Sequence, residues 1–457
     1  MEDTPRSQTI STQSQEIAQK VARAGNAGAS PLLVRESSLL KLRMLAKAHP
    51  EMVFNNVAHR IDVFLLRQSF RQLRKSDSSG VDEITAKQYK ERLMDNLHDL
   101  HQRLRTNRYR ALPVKRVWIE KEDGKERPIG ILTLEDKIVQ KAVATLLETV
   151  YDSQFYGFSH GFRRDHSQHQ AISELREQCR QLNIRWVVSA DITGLFDNID
   201  RSLLKSMIQE RVNDGAILRL IGKWLNVGVV EGGATTYPDK GTPQGGVISP
   251  MLSNIFLHHV LDDWFVKQVQ PRLKGCSFII RWADDFIIGC ELKSDAKRIM
   301  AVLPKRFGRF KLSLHPDKTQ LIEFVRPRSD DQCRKRGTFD FLGFTFHWGK
   351  TLKGYWVIKK KTARKRLSRF MKQLWQWCKA NRHEPIGDQH RMLISKLRGF
   401  YQYFGVRGNY RALEVVFEYA EKAWRRWLSR RSSKGVVMFE DLRGRYPLLK
   451  PRIVHNI

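Results

Sequence analysis

The sequence predicts an α+β fold, because short β-prone runs alternate with longer segments of helical periodicity. Two apolar runs, residues 184–191 and 276–290, have the length and composition of strands, and both contain aspartate. A helical pattern lies between them and starts near Ser249 and Pro250. Residues 351–430 then combine helical periodicity with 20 Lys or Arg against 5 acids, which indicates a separate basic domain.

The N-terminal part begins without a periodic apolar pattern. We expect residues 1–35 to form a mobile tail and a helix to follow it, with Ser37 or Ser38 as the N-cap. Residues 114–132 predict a β-hairpin, because β-prone runs flank an Asp-Gly turn at positions 123 and 124.

The charge of the chain favours a polyanionic partner. Lys and Arg number 81 against 48 acidic residues, so the net charge is +33. Such an excess repels itself in a compact fold unless a partner neutralises it. Nucleic acid and an anionic membrane are the two candidates, and a merely basic soluble surface is the plain alternative. Because no apolar run approaches the ~20 residues of a spanning helix, we favour nucleic acid and expect no membrane partner.

The five cysteines are scattered and form no C-x-x-C pair. Such a distribution argues against a zinc site and a disulfide framework and fits a reducing compartment. No apolar signal-peptide core follows the N-terminus, so the expected location is the cytoplasm.

Aspartates that interrupt apolar strands are the most informative feature. Asp191 ends the first run, and Asp284 with Asp285 divides the second. Carboxylates in such places are costly unless cations compensate them. Phosphoryl transfer with two Mg²⁺ ions about 4 Å apart needs this kind of oxygen donor. The alternative is exposed turn acids, and a third aspartate on a separate run of a basic chain weighs against it.

Seven segments resemble, in order, the motifs of group II intron-encoded reverse transcriptases. Three central ones read "SADITGLFDNIDRSLL" (189–204), "GTPQGGVISPMLSNIFLHHVLD" (241–262) and "RWADDFIIG" (281–289). Upstream stand "DGKERPIGILTLEDKIVQKA" and "YGFSHGFRRDHSQHQAI", and downstream "LSLHPDKTQLI" and "FDFLGFTF". The resemblance implies a right-hand polymerase with fingers, a palm built on an antiparallel sheet, and an α-helical thumb that also serves as maturase domain.

The resemblance also implies site residues. Asp191, Asp284 and Asp285 would be catalytic and would bind two Mg²⁺ ions. Where the family usually has Tyr-Ala-Asp-Asp, this chain has Trp282, which lacks the hydroxyl and adds bulk. This departure bears on rate and fidelity rather than on the metal site.

The resemblance also assigns roles in nucleotide binding and in the primer grip to further positions. Lys125 and Arg127 would grip the triphosphate, and Gln244 would touch nucleotide and template. Phe196 would lie under the incoming sugar and exclude a ribose 2′-hydroxyl, with core packing as the alternative. Lys318 would protonate leaving pyrophosphate or be an ordinary surface lysine. The turn at Gly343 resembles the primer grip.

The basic C-terminal third predicts nucleic-acid contacts. A basic amphipathic helix begins near residue 364, and "LISKLRGFYQYFG" (393–405) resembles the core of the maturase-specific domain. Trp424 and Trp427 would either stack on unpaired bases or pack in the core. The candidate RNA-binding residues are Lys365, Arg366, Arg369, Lys372, Arg398, Arg425 and Arg426.

Domain boundaries follow from these patterns. We expect a tail (1–35), an N-terminal extension with fingers (36–185), a palm (186–350), a thumb and maturase domain (351–431) and a short basic C-terminal extension (432–457). The lack of Cys-rich endonuclease motifs suggests a bacterial, IIC-like subgroup.

The leading hypothesis is therefore an RNA-directed DNA polymerase with maturase activity. Its partners would be intron RNA, a template–primer duplex, dNTPs and a DNA target site, and its oligomeric state is not predicted. The alternatives are an RNA-binding maturase without polymerase activity and a domesticated reverse transcriptase in host defence or repair.

Overall fold

The structure is a computed structural model, and it describes most of the chain. The described residues are 31–73, 78–120, 126–231, 234–237, 241, 245–327, 337–431, 435 and 437–457. The predicted tail falls outside them up to residue 30, as do the turn at positions 123 and 124 and two nucleotide-binding candidates discussed below.

Helices and strands alternate along the chain, as the sequence predicts. The helices are α1 (Pro31–Ala48), α2 (Val63–Gln72), α3 (Ala86–Glu91), α4 (Leu93–Arg105), α5 (Leu134–Tyr151), α6 (Gln168–Gln181), α7 (Leu195–Asn198), α8 (Arg201–Gln209), α9 (Gly215–Leu225), α10 (Ser249–Leu257), α11 (Lys293–Arg309), α12 (Arg364–Ala380), α13 (Ile386–Phe404), α14 (Tyr410–Leu428) and α15 (Phe439–Arg445). The strands are β1 (Val114–Glu120), β2 (Glu126–Ile131), β3 (Trp186–Asp191), β4 (Val229–Glu231), β5 (Ala234–Thr236), β6 (Ser277–Trp282), β7 (Asp285–Cys290), β8 (Gln320–Glu323), β9 (Phe339–Phe341), β10 (Phe344–Lys350) and β11 (Trp356–Thr362).

Capping side chains set several helix starts. Asp62 accepts a hydrogen bond from the Leu65 amide at 2.8 Å and begins α2. The predicted cap at Ser37 or Ser38 is wrong, because both serines lie inside α1, whose described residues run from Pro31 to Ala48.

The residues divide into two compact units, the first formed by residues up to 119, 126–157 and 194–262. Its core is organised around α5, whose apolar face is fully buried and contacts α1 and α2. Its sheet has the order β2-β1-β4-β5, with β1 parallel to β4 and β4 antiparallel to β5. Strands β1 and β2 agree with the predicted hairpin arms, and α10 begins at Ser249, where the sequence predicts a helix.

The second unit consists mainly of residues 158–193 and 263–457. Its central sheet has the order β6-β7-β3-β8, and every neighbouring pair is antiparallel. A second antiparallel sheet has the order β11-β10-β9. Helices α12, α13 and α14 follow and enclose a separate core that includes Leu374, Leu397 and Trp424. The predicted α+β fold with an antiparallel palm sheet and a helical C-terminal domain is confirmed.

No helix among the described residues is both long and apolar enough to cross a bilayer.

A glycine in the central sheet makes room for an aromatic ring. Phe278 on β6 lies opposite Gly289 on β7. A Cβ added at Gly289 would lie 2.2 Å from Cε1 of Phe278. The ring therefore covers the glycine backbone and fills the space that a side chain at this position would take.

We predict that Gly289→Ala lowers the melting temperature, because the ring of Phe278 must shift in a packed core, which costs about 1–3 kcal/mol. Thermal unfolding followed by circular dichroism measures this. The matched control is Gly308→Ala on α11, where an added Cβ meets nothing within 4 Å. In that helix alanine should be neutral or stabilising by up to ~1 kcal/mol. Equal melting temperatures for both variants would contradict the proposed role of Gly289.

Candidate active site

The sheet register brings the predicted aspartates to one end of the central sheet. Asp191 is the last residue of β3 and Asp285 the first of β7, and the two are direct partners in the register. On the other side of Asp285 lies Trp282, the last residue of β6. Asp284 lies in the two-residue turn between β6 and β7. All three aspartates are half-buried.

The turn that carries Asp284 has an unusual backbone. Ala283 has a φ of 55°, in the left-handed region that favours glycine. The segment before α6 packs closely on this turn, because a Cβ added at Gly161 would lie 2.4 Å from the backbone nitrogen of Ala283. Only glycine at position 161 allows this approach, so the turn is held against a neighbouring backbone.

A buried arginine supports the same turn from inside. Arg281 is fully buried on β6. Its guanidinium donates to Oγ of Ser159 at 2.6 Å and to the carbonyl of Ala283 at 3.2 Å. The backbone around it is paired too, since the amide of Arg281 donates to the carbonyl of Phe158 and the amide of His160 to that of Arg281, both at 2.9 Å. Arg281 therefore fixes the turn that presents Asp284.

We predict that Ser159→Ala destabilises the fold by about 1.5–3 kcal/mol, because it removes an acceptor from a buried charged donor. Differential scanning fluorimetry should show a lower melting temperature. Ser206→Ala is the matched control, since Ser206 is exposed on α8 and donates to the carbonyl of Ser202 within that helix. An unchanged melting temperature for Ser159→Ala would show that Arg281 does not depend on this serine.

Two cations lie close to the aspartates. Nζ of Lys318 donates to Oδ2 of Asp191 at 2.7 Å. The loop before Lys318 is attached to the end of β3, because the His315 amide donates to the carbonyl of Asp191 at 2.8 Å. The pKa of Asp285 is raised to about 8, first by burial and then by the charges of Asp191 and Asp284, while Lys318 and Arg366 oppose the rise. Negative charge is therefore in excess here despite both cations.

The donor atoms of the site suit a cation, but their placement is not that of a complete metal site. In the described part of the chain, no three His, Cys, Asp or Glu side chains are placed so that they could hold a metal ion. One oxygen of Asp191 is already bound to Lys318. Three carboxylates still offer only hard oxygen donors, and the raised pKa of Asp285 indicates that a further positive charge would be stabilised.

The turn at Gly343 lies beside the C-terminal helices. Gly343 has a φ of 78°. A Cβ added there would lie 3.5 Å from the ring of Phe404 and 3.7 Å from Cγ of Arg366. The hydroxyl of Tyr403 donates to the carbonyl of Leu342 at 2.8 Å. Helices α12 and α13 therefore pack on this turn and bring Arg366 near the aspartates.

The other nucleotide-binding candidates belong to the first unit or are not described. Lys125 and Gln244 lie outside the described residues, and the side chain of Arg127 is not described either. Phe196 is half-buried on α7. The backbone beside it is packed against Gly241, where an added Cβ would lie 2.7 Å from the carbonyl oxygen of Phe196.

The basic residues of the C-terminal helices are mostly exposed, as a nucleic-acid surface requires. Arg369 and Arg425 are half-buried, and Arg425 stacks on Phe439 at 4.1 Å. Trp424 and Trp427 are buried in the helical core, so of the two interpretations core packing is correct. The exposed candidates are Lys365, Arg366, Lys372, Arg398 and Arg426.

Sequence reasoning missed Arg281, Ser159 and Gly161. The sequence does indicate a role for Arg281, because an arginine inside an apolar strand run needs a buried partner. Nothing local identified Ser159 as that partner, since it lies 122 positions away.

Comparisons with known proteins agree with these motifs. Residues 119–346 match the family described as reverse transcriptase (RNA-dependent DNA polymerase). The chain is 32% identical over 279 residues to protein YkfC of Escherichia coli K12, covering 53% of this chain and 71% of that protein. It is 35% identical over 210 residues to the group II intron-encoded protein LtrA of Lactococcus lactis, covering 46% of this chain and 34% of LtrA. A nuclear intron maturase of Arabidopsis thaliana is 28% identical over 146 residues, covering 31% of this chain and 19% of that protein.

Proposed function

The chain belongs to the reverse transcriptases of the group II intron type, and from this premise we propose that it extends a DNA primer on an RNA template and assists its intron RNA in splicing. The observation that carries the proposal is the pairing of Asp191 with Asp285 at the end of β3 and β7, with Asp284 in the adjoining turn. The match with LtrA spans about a third of that longer protein.

Asp191, Asp284 and Asp285 would hold two Mg²⁺ ions. When bound, these ions would activate the primer 3′-hydroxyl and neutralise charge on the triphosphate. Among the chain's own residues, Lys318 would keep its proton beside Asp191 and donate it to the leaving pyrophosphate. The raised pKa of Lys318, caused first by its hydrogen bond to Asp191, is consistent with a proton held at Nζ. Lys125 and Arg127 would bind the triphosphate, and Gln244 the nucleotide and template.

The C-terminal helices would bind the template–primer duplex and intron RNA. Their exposed lysines and arginines supply phosphate contacts. The charge of Arg366 acts on Asp285, and together with Gly343 this arginine would hold the primer end. A DNA target site and a bacterial, cytosolic setting complete the proposal.

A maturase without polymerase activity is the second candidate. The feature that favours it is Trp282 in place of tyrosine. The Trp282 ring packs partly into the apolar core of the second unit, so the sheet accommodates its bulk. The intact Asp191, Asp284 and Asp285 weigh against a loss of polymerase function.

We predict that Asp284→Ala lowers primer extension on poly(rA)/oligo(dT) with Mg²⁺ by at least about a thousandfold, as expected for a residue at the reacting atoms. The exposed Asp441→Asn on α15 is the control and should retain full activity. Splicing of the cognate intron is measured in parallel with all three proteins. DNA synthesis by Asp284→Ala at the wild-type rate would refute the catalytic assignment. Splicing without DNA synthesis in the wild type would favour the maturase alternative.

Phe196→Val should relax sugar selection. A smaller side chain would leave space for a ribose 2′-hydroxyl, so the preference for dTTP over UTP should fall about tenfold to a hundredfold. The ratio of kcat/KM for the two nucleotides is the measurement. Phe64→Val, at a half-buried position on α2, controls for general loss of packing. If both variants keep the wild-type ratio, Phe196 is a packing residue and not the sugar gate.

A further inference from the structure

An open groove lies between α12 and α14 of the second unit. It is lined by Ser368, Met371, Lys372, Trp375 and Tyr419 and has a volume of about 320 Å³. The four α12 residues recur at the spacing of one helical face. They lie on the helix that also carries the basic residues predicted for RNA binding, but the aromatic residues of the groove belong to no proposed site.

Two aromatic rings form the walls of this groove. The ring centroids of Trp375 and Tyr419 are 6.5 Å apart, with planes inclined at 45°. The buried Trp427 packs edge-on against Trp375, with ring centroids 5.4 Å apart. Both Trp375 and Tyr419 remain partly exposed. A ring that is fixed by a buried neighbour and is still partly exposed offers a stacking surface to a flat ligand.

The rim of the groove is cationic. Lys372 is exposed at its edge, and the guanidinium carbon of Arg426 lies 5.8 Å from the centroid of Trp375. Glu418, the acid next to Tyr419 in sequence, is paired with Lys422 at 3.8 Å. A flat ring would find stacking partners here and an attached phosphate would find positive charge, whereas an apolar peptide would gain nothing from these cations.

We propose that this groove binds one unpaired nucleotide of the intron RNA, with the base stacked on Trp375 beside Tyr419 and the phosphate at Lys372 and Arg426. The inference rests on the proposed function, since it names the part of the RNA that the C-terminal helices would recognise. An unpaired base is required, because bases inside a helix cannot present their faces.

The experiment measures binding of two fluorescent RNA hairpins to the full-length protein. One hairpin has a single unpaired adenosine in its stem, and the other lacks that nucleotide. Trp375→Leu should weaken binding of the bulged hairpin about fivefold to a hundredfold and leave the perfect hairpin unchanged, as stacking of one base predicts. Trp375→Phe keeps a ring and should lose less. The matched control is Trp377→Leu, a partly buried tryptophan of the same helix that packs beside Lys396.

Melting temperatures of all variants separate binding from folding, and crosslinking adds a direct readout. A hairpin with 5-iodouridine at the bulge should crosslink to Trp375 or Tyr419. Equal losses for Trp375→Leu and Trp377→Leu, or equal effects on both hairpins, would overturn the proposal. Primer extension by the same variants separates the groove proposal from the proposed polymerase function. If the protein extends primers but does not distinguish the two hairpins, the groove proposal is wrong and the proposed function stands.

Discussion

The concentration of negative charge at one end of the central sheet is the constraint on which the site depends. Antiparallel pairing places Asp191 beside Asp285, and burial with mutual repulsion raises the pKa of the latter. Such an arrangement persists only if its surroundings are rigid and positively charged. The cations Lys318 and Arg366 provide the charge, and the buried Arg281 provides the rigidity.

Much of this could be predicted from residues next to one another in the chain. Asp191 follows an uninterrupted β-prone run, and Ser249 with Pro250 is a recognisable helix start. Periodicity and turn chemistry act over a few residues, so they define elements and the ends of strands. The order of motifs then identified the family, because their spacing is a property of the whole polymerase domain.

What could not be predicted depends on pairs that are distant in sequence. The ion pair of Lys318 with Asp191 joins positions 127 residues apart. The tryptophans of the C-terminal helices show the same limit. Trp375 and Trp424 both lie on helices rich in basic residues. Tertiary packing leaves Trp375 partly exposed, whereas Trp424 is buried against Gln389 and His390 of α13. Helical periodicity does not distinguish two faces that both carry aromatic residues.

The position of β3 within its sheet also bears on synthesis of the chain. Both of its neighbours, β7 and β8, come later in sequence, and β8 ends at Glu323. During translation β3 therefore has both edges unpaired until β7 is complete at Cys290, and one edge unpaired until β8 follows. Unpaired strand edges invite aggregation. Strand β3 is thus prone to aggregate while the chain is being synthesised, and a chaperone that covers its edges would matter most in this interval.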